Sequence, residues 1–444
     1  MTSQIKIFIS LIIFSMLAFV SHGFYFNGSL SFDEKRLGRI DAHYEAAIDK
    51  QLVAGAQVVI QQNEQIIYNK RWGYSDLGKL TPLSHDTIFH IYSMTKPITS
   101  VAVMILFEEG KILLHQPIAK YIPELANLQV YDPLNGEGNP PVRSAARQPT
   151  VRDLLTHTAG FTYGLFDTSP LGDLYRAAGI GGPTRDLQGF VEDLGKLPLK
   201  FDPGTNWNYS VATDVLGRLV EVTSGQKFSI FIQERIFAPL GMADTSFYFD
   251  AAKTERQAVL YSREGVAAAF PKDGFLSKPT GSGLEPAHKS MTLGYTEKGL
   301  FESGGAGLLS TTSDYMQFAN MLLNEGELNG VRILSPNSIA MMRSDQVGST
   351  KPLARLTNIM LNDGIGFGLG FGTIKDQGLS GLALPTGTFF WGGAAGTFFW
   401  IDPRHELIGL FMTQVVPHRT TLREDLWGLT YQALVDTELG KFAN

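Results

Sequence analysis

The stretch His90-Ile91-Tyr92-Ser93-Met94-Thr95-Lys96-Pro97-Ile98 joins two runs of different periodicity. On its N-terminal side, Thr87 to Tyr92 is short and β-prone. Beyond it, Ile98 to Glu109 is an almost unbroken apolar run stopped by Gly110, which predicts a buried helix. Ser93 and Lys96 stand three residues apart at the junction. At a helix start that spacing puts both side chains on one face, with Cβ atoms about 5–6 Å apart, so the amine can reach the hydroxyl. The N–H groups and positive potential of the helix N-terminus favour a developing alkoxide. Together with desolvation by the apolar flanks, they disfavour the ammonium and lower the lysine pKa. Pro97 is tolerated in a first helical turn. The competing reading is an N-cap serine beside a solvated lysine. The same S-x-x-K pattern occurs at Ser3/Lys6, in an apolar leader, and at Ser224/Lys227, where Gly225 marks a helix cap. Only the Ser93 copy leads from a strand into a buried helix.

Towards the N-terminus, Ser31-Phe32-Asp33-Glu34 is a capping-box pattern that opens a predicted helix to about Lys50. Ala56 to Gln61 and Gln65 to Arg71 predict a hairpin about polar Gln62-Asn63-Glu64. Towards the C-terminus, helical patches at Val151–Leu155, Leu187–Leu197, Thr213–Thr223 and Ile230–Ile236 alternate with long Gly/Pro/Asn-rich segments such as Asp132–Arg147 and Tyr261–Ser290. After Gly304 a β pattern returns. Gly364, Gly366, Gly368, Gly370 and Gly372 alternate with Ile365, Phe367, Leu369 and Phe371, which predicts one strand with a bare face. Thr388–Ile401 and Glu406–Val415 predict a hairpin about Asp402-Pro403-Arg404, and Thr421–Leu439 a closing helix. β-rich ends around a helical centre predict one α/β domain built from residues 24–115 and 286–444, with a helical, loop-rich domain inserted at 116–285.

Composition narrows the chemistry. The 444 residues carry 37 Lys+Arg against 43 Asp+Glu, a formal charge of -6, and no cysteine. Thiol nucleophiles, redox pairs, Cys-ligated metals and disulfides are therefore excluded. Mild acidity, mixed along the chain, gives no footprint for nucleic acid. The nine histidines are scattered without ligand spacing, and no metal or other cofactor is expected. The glycine alternation fails as a dinucleotide fingerprint, because its i+5 position is apolar and no helix follows. Gly73-Tyr74-Ser75-Asp76 fails as a nucleophile elbow, because Leu77 stands where a glycine is needed. Lys6, the apolar run Ile7–Val20 and small residues at Ser21 and Gly23 predict a signal peptide over residues 1–23 and a secreted or periplasmic protein. No later run is long enough to predict a membrane span.

Six ordered motifs resemble the serine β-lactamase-like superfamily, in its class C β-lactamase and family VIII carboxylesterase branch. They are Ser93-Met94-Thr95-Lys96-Pro97; Leu154 to Phe161; Pro203-Gly204 followed by Tyr209-Ser210; Pro239-Leu240-Gly241-Met242 with Asp244-Thr245; Gly304 to Leu308; and Trp391-Gly392-Gly393. The resemblance implies an antiparallel sheet flanked by helices, with an all-helical domain inserted. It implies Ser93 as acylated nucleophile, Lys96 as its base, and Tyr209 as second base and proton shuttle. A phenol beside a lysine cation is expected to ionise well below its usual value of about 10. The backbone N–H groups of Ser93 and Ala394 would form the oxyanion hole. Tyr92, Trp391, Gly392 and Gly393 would line the substrate, while His157 is mainly architectural.

Two departures bear on the substrate. Val211 stands where penicillin-active members keep an asparagine, and no K-T-G supplies the cation that faces a substrate carboxylate; Lys278-Pro279-Thr280-Gly281 lies in a loop. The Trp-Gly-Gly form is the one associated with esterases of this branch, and the aromatics Tyr92, Phe161, Trp207, Phe389, Trp391 and Phe398 suit an apolar acyl group. The expectation is a serine hydrolase cleaving small-molecule carboxylic esters through an acyl-enzyme. The rivals are a β-lactamase or D-amino-acid-specific peptidase and a non-catalytic binder or sensor with the same fold. Oligomeric state has no signal in the sequence.

Overall fold

The computed structural model describes residues 32–435 apart from 181, 183, 249, 267–279, 289–290, 292–299 and 349–361. The expected signal peptide and Lys278-Pro279 lie outside the described residues, as does Ser31. The N-terminal helix differs from its expectation. Asp33 is the cap, accepting the Arg36 N–H at 2.9 Å, and the chain breaks at Gly38 between a short turn, Glu34–Leu37, and helix α1 (Arg39–Asp49).

Strands β1 (Gly55–Gln62), β2 (Gln65–Asp76) and β3 (Thr81–Pro82) follow, the first two as the expected hairpin with Gly55 opposite Gly73. Every residue of β1 is buried, glutamines included, because both faces of the sheet are covered. Tyr44 of α1 stacks on Trp72 at 5.0 Å on one face. Strand β4 (Phe89–His90) is much shorter than the expected β run, and leads through a 3-10 turn at Tyr92–Met94 into helix α2 (Thr95–Glu108). From Thr95 to Leu106 every residue of α2 is buried, as befits a helix apolar on all sides.

Helices α3 (Val151–Leu155), α4 (Pro170–Ala178), α5 (Leu187–Leu194) and α6 (Ala212–Ser224) come next, with α6 packed on α2, α3 and α5. The stretch after Gly304 was expected to be β-rich, yet beyond the two-residue strand β5 (Leu309–Ser310) it forms helices α7 (Thr312–Leu323) and α8 (Pro336–Arg343). The cue was in the sequence: Thr311 accepts the Asp314 N–H as an N-cap, and Ser335 precedes a proline at a helix start. Helix α7 covers the other face of β1, where Thr312 donates to Gln57 at 2.8 Å and Asn320 pairs with Gln61. Those pairs satisfy amides that would otherwise be costly to bury.

The Gly-rich run is a hairpin and not one strand. Strand β6 (Ile365–Phe367) turns back into β7 (Gly372–Ile374), with Ile365 opposite Ile374 and Gly370 at φ +105° in the turn. Its bare face has a steric cause: a β-carbon on Gly366 would sit 2.4 Å from Asp345 Oδ1, and one on Gly368 would sit 2.0 Å from the Met342 carbonyl. The expected long strand at Thr388–Ile401 likewise divides into β8 (Phe389–Gly392) and β9 (Phe398–Asp402), and β10 (Leu407–Thr413) completes the sheet. Helix α9 (Leu422–Tyr431) is shorter than the expected closing helix. The sheet order is β6-β7-β8-β9-β10-β1-β2-β3, antiparallel at each pairing. Burying a residue such as Phe411 or Phe399 in this core contributes about 1.5–3 kcal/mol. Among the described residues, no helix is long and apolar enough to cross a membrane.

Candidate active site

Ser93 lies in the 3-10 turn between β4 and α2, after Tyr92 at φ +44°, a left-handed value that a bulky residue adopts only under restraint. Several elements supply the restraint. The Ile91 N–H donates to the Leu308 carbonyl at 3.1 Å, the Leu308 N–H to Thr95 Oγ1 at 3.1 Å, and the Tyr315 hydroxyl of α7 to the Met94 carbonyl at 3.0 Å. Tyr92 packs with Leu260, Val266, Met291, Ala395 and Val416, and its hydroxyl donates to the Met291 carbonyl. The serine thus sits on a turn clamped from three sides.

Lys96, one helical turn along, is 1% exposed. Its Nζ donates to Ser93 Oγ at 3.3 Å, to Tyr163 Oη at 3.1 Å and to the Gly305 carbonyl at 2.7 Å, and lies 4.5 Å from the centre of the Tyr209 ring. Burial pulls the pKa down from 10.5 to about 7, against the attraction of the nearby Asp214 carboxylate. The amine can therefore shed its proton at neutral pH and take one from Ser93 Oγ.

The sequence reading did not single out Tyr163 or Asp214. Asp214 Oδ1 accepts from Ser303 Oγ at 2.5 Å and from the Gly305 N–H at 3.0 Å, which fixes the carbonyl that faces Lys96. Gly304 and Gly305 are glycines for want of room: a β-carbon on the first would meet the Thr213 carbonyl at 2.5 Å, and one on the second would meet Asp214 and Tyr163 at 2.8 Å. Neither stands in a distinctive pattern: α6 carries two acids, Asp214 and Glu221, and Tyr163 merely follows the Leu154–Phe161 block by two residues. Tyr163→Phe removes one acceptor from the ammonium, so the Lys96 pKa should fall further. The alkaline-going rise in kcat/KM is expected to move to lower pH, with kcat down about tenfold. A pH–rate profile of the variant checks this.

Tyr209 meets Lys96 with its ring face, and its hydroxyl forms no hydrogen bond of good geometry among the described residues. Burial raises its pKa above 10, although Ser93 and Trp391 pull it the other way. This departs from the expectation of a readily ionised phenol: desolvation, helped by the Asp214 carboxylate, outweighs the pull of Ser93 and Trp391, and the phenol is neutral at rest. Trp391 Nε1, also buried, lies within reach of that hydroxyl, again without a hydrogen bond of good geometry. Behind Tyr209, His157 packs at 4.8 Å with its Nδ1 3.3 Å from Ser210 Oγ, and burial together with Lys96 keeps the ring neutral. Phe367, Trp207 and Phe166 close around these rings. Phe389 and Phe398, expected near the site, pack elsewhere: Phe389 stacks on Phe371, and Phe398 meets Trp427 of α9 edge-on.

Gly392 ends β8, and Gly393-Ala394 opens the turn to β9. A β-carbon on Gly393 would sit 2.3 Å from the Ile91 carbonyl, to which Thr397 Oγ1 also donates at 3.2 Å. The turn is thereby joined to the chain two residues before Ser93. The Ala394 N–H has no acceptor among the described residues. Such an amide beside a serine can receive a developing oxyanion.

A family model described as Beta-lactamase matches residues 40–431. Protein Rv1367c of Mycobacterium tuberculosis (strain ATCC 25618 / H37Rv) is 34% identical over 373 residues, covering 83% of this chain and 88% of that protein. Esterase EstB of Burkholderia gladioli is 30% identical over 382 residues, covering 84% and 89%. The solved structure of EstCE1, described as a hydrolase with promiscuous acyltransferase activity, superimposes with a TM-score of 0.72 at 24% identity, over 90% of this chain and 99% of that one.

Proposed function

We propose, from the premise that this chain belongs to the beta-lactamase family, that it is a serine hydrolase cleaving carboxylic esters through an acyl-enzyme. The carrying observation is the buried Lys96 amine, 3.3 Å from Ser93 Oγ, with its pKa brought down to about 7. Its similarity to Esterase EstB supports an ester as the substrate class. So does the aromatic wall of Tyr209, Trp391 and Phe367, which suits an apolar acyl group better than a carboxylate.

In this reading Lys96 takes the Ser93 proton while Oγ attacks the ester carbonyl, and the Ser93 and Ala394 N–H groups hold the oxyanion. Tyr209 then gives its proton to the departing alkoxide, and the phenolate recovers one from the Lys96 ammonium. Water repeats the sequence in reverse on the acyl-enzyme; an alcohol in its place would give acyl transfer. Tyr92, Gly392 and Gly393 shape the approach of the substrate along the turn. The N-terminal leader makes the activity a secreted or periplasmic one in this proposal.

Purified protein with short-chain p-nitrophenyl esters and, separately, nitrocefin tests the assignment. Rapid ester cleavage with slow nitrocefin turnover is expected, together with a fluorophosphonate adduct on Ser93 by mass spectrometry. Efficient nitrocefin hydrolysis with negligible ester cleavage would point instead to a β-lactamase, and folded protein without an adduct to a binder.

A further inference from the structure

The turn after β8 has its four carbonyls held from outside or across the turn. The Gly393 carbonyl accepts from the Arg423 guanidinium and from the Gly396 N–H at 3.1 Å. The Ala394 carbonyl accepts from the His418 N–H at 3.0 Å, Ala395 from the Val415 N–H at 2.9 Å, and Gly396 from Arg423 Nε at 3.2 Å. Arg423, in the first turn of α9, is 7% exposed and belongs to neither the sheet nor the Ser93 turn. Among the described residues no carboxylate forms an ion pair with it; its guanidinium carbon lies 5.8 Å from the Phe398 ring centre.

In a planar trans peptide the C=O and N–H point in opposite directions. A guanidinium that fixes the Gly393 C=O therefore aims the Ala394 N–H away from α9. Withdrawing electron density at the oxygen also makes that N–H a better donor, since bonds in a chain polarise one another. Burying a cation with no carboxylate in contact is costly, even with the Glu424 charge nearby to favour it, and neutral donors could have tied the turn down. The guanidinium charge behind the peptide adds an attractive field on a developing oxyanion.

We propose that Arg423 is a positioning residue that orients and polarises the Ala394 N–H for oxyanion binding. The proposal rests on the ester-cleaving reading above. Arg423→Met and Arg423→Lys in the full chain test it, with p-nitrophenyl butyrate as substrate and butylboronic acid as a tetrahedral-adduct probe. Arg423→Met should lower kcat about 10- to 100-fold with KM within about twofold, and raise the boronate Ki by the same factor as kcat falls. Arg423→Lys keeps the charge and one donor, and should recover part of both losses. A folded Arg423→Met with kcat and boronate Ki unchanged overturns the proposal, as does a loss confined to KM or to thermal stability. Should Arg423→Met not fold, Arg423→Lys decides: a several-fold loss in kcat matched by the boronate Ki supports the proposal, and unchanged values overturn it. Wild-type protein that neither cleaves the ester nor binds the boronate overturns the ester-cleaving reading, and with it the proposal; that result differs from a wild type that is active and an unaltered variant.

Discussion

Ser93→Ala is expected to lower ester turnover by about 10⁴- to 10⁶-fold and to leave the protein folded. The loss is large because no other group in the cluster can form the acyl bond. In the proposed mechanism Lys96 and Tyr209 only move protons, and the Ala394 N–H only stabilises charge. The fold survives because the hydroxyl carries little of the turn. Its place is set by Ile91, Met94 and Thr95, whose bonds run to Thr397, Tyr315 and Leu308. Lys96 keeps Tyr163 Oη and the Gly305 carbonyl as acceptors after the hydroxyl is gone. One lost hydrogen bond is worth about 1 kcal/mol. Steady-state kinetics, thermal melting and mass spectrometry after fluorophosphonate treatment read the three parts separately. An unfolded variant, or an adduct that persists on another residue, contradicts the assignment.

Lys96→Met is expected to cost about 10²- to 10⁴-fold in kcat/KM, the usual worth of a positioned acid–base group. In the wild type, kcat/KM should rise as pH passes through about 7, where the ammonium gives way to the amine. The methionine variant should lose that limb. Stability follows with a definite sign. The folded pKa is about 7 and the ordinary value is 10.5, so between these pH values the unfolded chain binds more protons at this position than the folded one. This residue's contribution to stability therefore rises with pH across that window, and the cost of burying the charge is felt in full below pH 7. Methionine removes that cost at similar volume, so the variant should melt no lower than the wild type at pH 6 despite its loss of activity. A fall of many degrees would mean that Lys96 is chiefly a structural cation.

How much of this was legible in the sequence depends on the range of the signal. The Ser93/Lys96 pair is a local spacing at a change of periodicity, and the hairpin of β1 and β2 is a local pattern; both could be read directly. Tyr209, Trp391 and Ala394 came only through resemblance, because they reach Ser93 across long stretches of chain. Tyr163, Asp214 and Arg423 were missed for the same reason: each acts on a backbone atom or an amine brought near by tertiary packing, and none stands in a distinctive pattern. The glycine alternation misled in an instructive way. Period two is the mark of a strand, but here Gly366 and Gly368 record the close approach of the chain from Met342 to Asp345, and the run turns on itself at Gly370. The phenol of Tyr209 misled through magnitudes, since a neighbouring cation and burial act in opposite directions and only the packed structure says which prevails.

The order of strands in the sheet also has a bearing on the birth of the molecule. β1 lies between β2, its immediate successor in the chain, and β10, which ends at Thr413. During synthesis the serine and lysine are made early, but their oxyanion turn at Gly393 and the arginine behind it come in the last tenth or so of the chain. Until β10 has been made, β1 has one free edge, and Ser93 and Lys96 lack the Gly393 turn that packs on Ile91. On the proposed mechanism the growing polypeptide lacks the Ala394 N–H for an oxyanion, and the sheet keeps an unpaired edge until β10 joins it.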